Sequence, residues 1–215
     1  MNMRLALGTS AVLVGVTLVR VAAAQGASVP APSRPLPLLT AMSAAEQTRL
    51  ARSTAPEDIS SRASMCVLTS TGYVQTSTGS NGFSCLVERE LLETVEPTCY
   101  DAEGSATTLK ARIYREELRA SGVPEDEVKQ RIAAAYRDGR LSAPRKPGII
   151  YMLAPENYAW NAITKKLWTH PPHYMFYVPF ATQDAMGGPI GPATPVVGWP
   201  GQPDAVIIVM AAAKH

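Results

Sequence analysis

Close to its C-terminus the chain runs Ala205-Val206-Ile207-Ile208-Val209-Met210, six residues in a row without a polar side chain. Such a run is too short for a helix of ordinary length and far too short to cross a bilayer. It reads as a strand covered on both faces and central in its sheet. Ser64–Ser70, Phe83–Glu88, Ile149–Leu153 and Tyr174–Phe180 are strand-like as well. Turn residues gather at Ser77-Thr78-Gly79-Ser80-Asn81-Gly82, which predicts a hairpin between the first two runs. Two helical patterns separate the early strands from the late ones. Thr107–Ala120 places Leu109, Ile113, Tyr114 and Leu118 near one face and is stopped by Gly122. Pro124 suits the first turn of the next helix, with Glu125, Asp126 and Glu127 at the positive end of its dipole. Val128, Ile132, Ala135 and Tyr136 give that helix a buried stripe, and Gly139 closes it. The charge runs of both helices read as solvated faces. An earlier helix opens at Ser43, which has capping-box spacing to Glu46, and runs to about Ser53, with Pro56 barring its continuation. The order helix, two strands, two helices, three strands predicts an α+β domain over residues 43–215. Its sheet should be mainly antiparallel, of about five strands, with helices packed against it. Gly187–Asp204 alternates Pro and Gly too often for regular structure.

The N-terminus reads as an address. A basic start at Arg4, an apolar run from Leu5 to Val19 and small residues Ala22-Ala23-Ala24 have the form of a secretory signal peptide over residues 1–24, cut after Ala24. Residues 25–42, with Pro30, Pro32, Pro35 and Pro37, read as an extended leader. Cleavage removes Arg4 and Arg20 and no acid, which leaves 18 basic and 18 acidic side chains. A nucleic-acid partner is therefore not expected, since phosphate contacts demand a basic excess. The expected compartment is the periplasm or the medium, with no membrane span after cleavage.

In an oxidising compartment Cys66, Cys85 and Cys99 allow one disulfide. A Cys66–Cys85 bridge needs a reversal near Gln75-Thr76, which lacks turn chemistry, so Cys85–Cys99 fits better and Cys66 reads as a small buried apolar residue.

Four stretches are familiar together. They are Asn81-Gly82-Phe83-Ser84-Cys85-Leu86-Val87-Glu88-Arg89, Glu96-Pro97-Thr98-Cys99-Tyr100-Asp101-Ala102-Glu103-Gly104, the segment from Ala143 to Leu153, and Pro171-Pro172-His173-Tyr174-Met175-Phe176-Tyr177. Over about Ser43 to Met210 the chain resembles a group of secreted bacterial proteins of uncharacterised function. The resemblance implies export, agrees with pairing Cys85 to Cys99, and supplies no activity.

Tyr151–Phe180 holds eight of the 14 aromatic residues. Aromatic walls with polar tips suit an apolar or sugar-like ligand. The expected ligand face is Tyr151, Trp160, His173 and Tyr177, with Arg145 and Lys146 at its edge, serving an unidentified small molecule or envelope partner. Core packing explains many of the same aromatics. A second reading is a hydrolase acting on an envelope substrate through Glu88, Asp101 or Glu103 with His173, because neighbouring carboxyls can split their pKa values. Asp101 or Glu103 could equally cap the helix that follows. A third is a purely structural envelope protein. No cofactor is expected: the chain lacks a phosphate-cradling glycine loop, a Gly-x-Ser-x-Gly elbow and a CxxC pair. No metal is expected either, since Pro171 and Pro172 keep His170 and His173 off a common helix face.

Overall fold

A computed structural model of the protein describes residues 36–211 other than Ala162, Pro192 and Ala193. The expected signal peptide and most of the expected leader lie outside the described residues. The elements are α1 (Ala44–Ser53), α2 (Glu57–Ser60), β1 (Ser64–Thr69), β2 (Gly72–Ser77), β3 (Ser84–Glu88), β4 (Thr94–Tyr100), α3 (Ala102–Ala106), α4 (Thr108–Ala120), α5 (Glu125–Arg137), β5 (Ile149–Met152), β6 (Tyr158–Asn161), β7 (Lys166–Thr169), β8 (His173–Tyr177), β9 (Val196–Gly198) and β10 (Val206–Met210). The class is α+β. The sheet has ten strands rather than about five, in the order β2-β1-β3-β4-β5-β8-β10-β9, with β6 and β7 branching from β4.

The hairpin expected between β1 and β3 is absent. β1 turns instead through Ser70-Thr71 into antiparallel β2, where Gly72 takes φ +114° and its carbonyl accepts from the Thr69 hydroxyl at 2.7 Å. The turn-rich Ser77–Gly82 stretch is a crossover to the other side of β1, so β3 runs parallel to it. A Cβ on Gly79 would run into the backbone of Arg62, Ala63 and Ser64, which is why this crossing needs glycine. The parallel pairing covers only Ser64 and Met65. Beyond it, the buried Gln47 amide of α1 takes over: its Oε1 accepts from Leu68 N at 2.7 Å and its Nε2 donates to Leu68 O at 3.1 Å.

β4 forks. Thr94 and Val95 pair with β6, whereas Cys99 and Tyr100 pair with β5 on the same edge. Pro97 stands between the branches, where a strand residue has no ladder N–H to give. Its carbonyl accepts from the buried Thr54 hydroxyl at 2.6 Å, and the same hydroxyl reaches Tyr151 O at 3.0 Å. Across β3 and β4 the strand period sorts side chains cleanly. Cys85, Val87, Val95 and Cys99 face a core closed by Leu50 and Ala51 of α1, with Leu39 and Met42 ahead of it. Leu86 and Tyr100 face a second core with Leu109 of α4, Ile150, Met175, Tyr177 and Val206. α5 and the segment after it pack on α4 through Ala111, Ala135 and Leu141.

Several expectations hold. Ser43 and Glu46 form the capping box of α1. Cys85 and Cys99 lie opposite each other in the antiparallel register and are bonded, and Cys66 is buried and unbridged. Others change. β10 is next to the edge, with only the three-residue β9 outside it, and Val209 and Met210 are exposed. Gly187–Asp204 contains β9, and a 3-10 turn at Asp184–Met186 lies just before it. Three charges of α4 are not solvated: Arg112, Arg115 and Glu116 are buried, while Lys110 and Glu117 are exposed as expected. Among the described residues no helix is long and apolar enough to cross a membrane.

Candidate functional site

α4 puts Arg112, Arg115 and Arg119 on successive turns of one face, where helical spacing stacks them. That face meets the chain leaving β3. Arg119 donates to the carbonyls of Arg89 and Glu90 at 2.9 and 3.0 Å and to both carboxylate oxygens of Glu125 on α5. Arg89 and Arg119 share the buried Glu116. Arg115 holds Glu90. Arg112, only 4% exposed, forms an ion pair with Asp204 at 3.0 Å through Nη1 and faces Glu88 at 3.5 Å through Nε. Its guanidinium lies 4.6 Å from the centre of the Trp199 ring. Its Nη2 is buried and has no hydrogen-bond partner among the described residues, and the same is true of the Tyr136 hydroxyl.

Burial opposes the charge on Arg112, but Asp204, Tyr100, Glu90 and Glu88 outweigh it, so the guanidinium stays protonated throughout the ordinary pH range. Burial raises Glu88, with Arg112 and the Tyr100 hydroxyl, at 2.5 Å, pulling the other way. Burial also opposes ionisation of Glu90, where Arg112 and Arg115 prevail and hold the carboxyl below its ordinary range. Glu96 sits directly across from Glu88 in the β3–β4 register. Burial and the carboxylates of Glu88 and Glu90 push it up to about 7, against the opposing bonds from Glu90 N and the Thr94 hydroxyl.

This network floors a cavity of about 960 Å³. One wall is α5, through Val128, Lys129, Ile132, Ala133 and Tyr136. Another is the β3–β4 connection, Glu90 to Thr94, with Ala159, Trp160, Asn161, Ile163 and Trp168 of the β6–β7 hairpin. Trp199, Gln202 and Asp204 come from the loop between β9 and β10. The cavity therefore collects all three tryptophans of the chain. The sequence kept Trp199 apart from the others, and nothing in its local pattern marks it. The arginines left a fainter trace, a spacing of three and four along α4 that matches a single stripe.

The residues expected to form the ligand face do not meet. Of that set, Trp160 alone lines the cavity. Tyr151 packs on the α1 side of the sheet, its ring 6.1 Å from Phe83 and 5.7 Å from Tyr174. Tyr177 is buried in the α4-side core, with its hydroxyl 3.2 Å from Asp101 Oδ1. His173 is buried at the start of β8, its Nδ1 2.7 Å from Pro171 O. Burial lowers its pKa more than that carbonyl raises it, so the ring is neutral at pH 7. Arg145 gives its backbone N–H to Glu103 at 2.6 Å. Lys146 joins Asp101 and Glu103 at a second, shallower hollow.

Those acids are engaged in structure. Asp101 is the N-cap of α3, accepting from Gly104 N, and its other oxygen accepts from Ile149 N, both at 2.9 Å. His173 stands four residues along β8 from the Tyr177 that touches Asp101, about 13 Å at the rise of a strand. Glu88 belongs to the arginine network, so the expected acids and the histidine are not gathered at one point. Among the described residues no cluster of three or more His, Cys, Asp or Glu side chains is placed to hold a metal ion. No protein-family model, curated protein or solved structure matches the chain.

Proposed function

We propose that the protein is an exported binding protein of the bacterial group it resembles, and that it takes a sugar-like ligand in the cavity between α4, α5 and the tryptophan-bearing loops. The observation that carries this reading is the convergence of Trp160, Trp168 and Trp199, brought from separate parts of the chain to one cavity of about 960 Å³. A volume of that order suits a molecule of one to a few rings. Indole faces accept the apolar side of a pyranose, and planar polar groups serve its hydroxyls. Asn161, Gln202 and Asp204 stand in the same lining, as do the arginines. The ion pairs fix the polar groups before a ligand arrives, which lowers the ordering cost of binding. The lining carries four acids, Glu90, Glu93, Glu125 and Asp204, and four bases, Arg112, Arg115, Arg119 and Lys129, a balance that favours a neutral ligand over a strongly charged one.

The test is a titration of intrinsic tryptophan fluorescence with mono- to trisaccharides, N-acetylglucosamine and its oligomers included. At least one sugar should give a saturable change in emission that is lost in Trp168→Ala. An unchanged spectrum across the panel at millimolar sugar would overturn the reading.

A further inference from the structure

Four large apolar side chains crowd the lining of the cavity and remain open to solvent: Leu91 (60% exposed), Leu92 (48%), Ile163 (93%) and Trp168 (69%). They come from two loops of different origin, the β3–β4 connection and the β6–β7 hairpin. The hairpin stands off the main sheet, because β7 pairs only with β6 and β6 meets β4 at just Thr94 and Val95. Its turn is braced: Asn161 Oδ1 accepts from Ile163 N at 3.0 Å and from Thr164 N at 2.8 Å. A braced turn that holds a nearly fully exposed isoleucine outward has no use in the protein's own core, and exposed apolar patches of this kind mark interaction surfaces.

The charge beside the patch selects the partner. Lys165 and Lys166 follow Ile163 in the hairpin, and Lys129 lines the cavity from α5. All three are exposed, and none makes a salt bridge among the described residues. Glu90, Glu125 and Asp204 are held by arginines, and Glu93 adds one further carboxylate to the lining, so the three lysines still leave the rim with an excess of positive charge. Apolar tips that include a tryptophan, flanked by free lysines, match the boundary of an anionic bilayer, where acyl chains take the tips and headgroups take the cations. We propose that this rim is a membrane-docking face that seats the protein on anionic lipid with the tip of the β6–β7 hairpin inserted. The inference stands on the exposed side chains and the lysines, and does not depend on what fills the cavity.

Vesicle flotation tests it, using protein purified from the export compartment and no sugar. Vesicles of phosphatidylcholine alone are compared with vesicles of phosphatidylcholine and phosphatidylglycerol in a three-to-one mixture. The protein should float with the mixed vesicles, less so as salt rises, and much less with phosphatidylcholine alone. Each lysine near an anionic surface accounts for about a fivefold change in partition, so Lys165→Gln with Lys166→Gln should weaken binding roughly 25-fold. Ile163→Asp should abolish flotation while leaving the thermal melt unchanged, since the side chain is almost wholly in solvent. Absence of binding to the mixed vesicles, or binding that Ile163→Asp leaves intact, overturns the proposal. So does a concentration-dependent dimer that Ile163→Asp disperses in the absence of vesicle binding, which assigns the face to a second copy of the chain.

Discussion

Replacing Glu96 by glutamine should make the protein more stable, and the gain should grow with pH. In the folded chain burial and two neighbouring carboxylates raise Glu96 from an ordinary 4.5 to about 7. Unfolding returns it to water and its ordinary value. Between those two pH values the unfolded chain releases a proton that the folded chain keeps, so rising pH favours unfolding across the window. The contribution of the proton is fully present below about 4.5 and lost as pH passes 7. At about 1.4 kcal/mol per pH unit, the gap amounts to about 3 kcal/mol. Glutamine keeps an oxygen to accept from Glu90 N and the Thr94 hydroxyl and carries no charge, so it escapes this penalty. Urea unfolding of both proteins at about pH 4.5 and about pH 8 measures the difference, with equal m-values as the control. The stability of Glu96→Gln relative to wild type should rise by about 3 kcal/mol between the two conditions. A difference constant to within about 0.5 kcal/mol would show that Glu96 titrates normally, and the account of charge crowding around β3 and β4 would fail.

Three further outcomes follow from the packing. Arg112→Met leaves Glu88 and Asp204 buried without their ion-pair partner and should cost about 3–5 kcal/mol in urea unfolding, part of which Asp204→Asn should restore in the double variant. Removing the bridge with Cys85→Ala and Cys99→Ala, whose cysteines are 14 residues apart, should cost about 3 kcal/mol, and reductant should then have no further effect on the melt. Gly79→Ala forces a methyl group into the backbone of Arg62 to Ser64 and should destabilise by about 3 kcal/mol, whereas an alanine at Gly191, with contacts at ordinary distance, should be nearly silent in the same calorimetric comparison.

The parts of this fold legible in sequence are those in which one local rule acts alone. Ser43 with Glu46, the stripe from Val128 to Tyr136, and the two helices all follow short-range periodicity. β4 was hidden because Glu96 and Pro97 both argue against a strand, and each is accommodated only by tertiary structure: Pro97 by the fork and the Thr54 hydroxyl, Glu96 by the bonds it accepts from Glu90 N and the Thr94 hydroxyl. β2 was masked by the richer turn chemistry at Ser77–Gly82, which serves a crossover. The Cys85–Cys99 pairing came out as expected although the hairpin used to reach it did not form; the true geometry is the direct β3–β4 register. The candidate site was the least legible part. The charged face of Arg112, Arg115 and Glu116 looks like any solvated helix until Glu88 and Glu90 arrive from the end of β3 and Asp204 from the chain ahead of β10. Trp199 joins Trp160 and Trp168 only through the path of the chain between β9 and β10.

Gln47 has a role larger than its two hydrogen bonds. Where β1 and β3 part, the Leu68 peptide presents a donor and an acceptor in the geometry that an incoming extended chain would match. The carboxamide of α1 fills that opening and so acts as a plug against templated polymerisation. A protease that nicked the link between α1 and β1 and freed the helix would therefore do more than loosen a core: it would bare an aggregation seed in every damaged molecule.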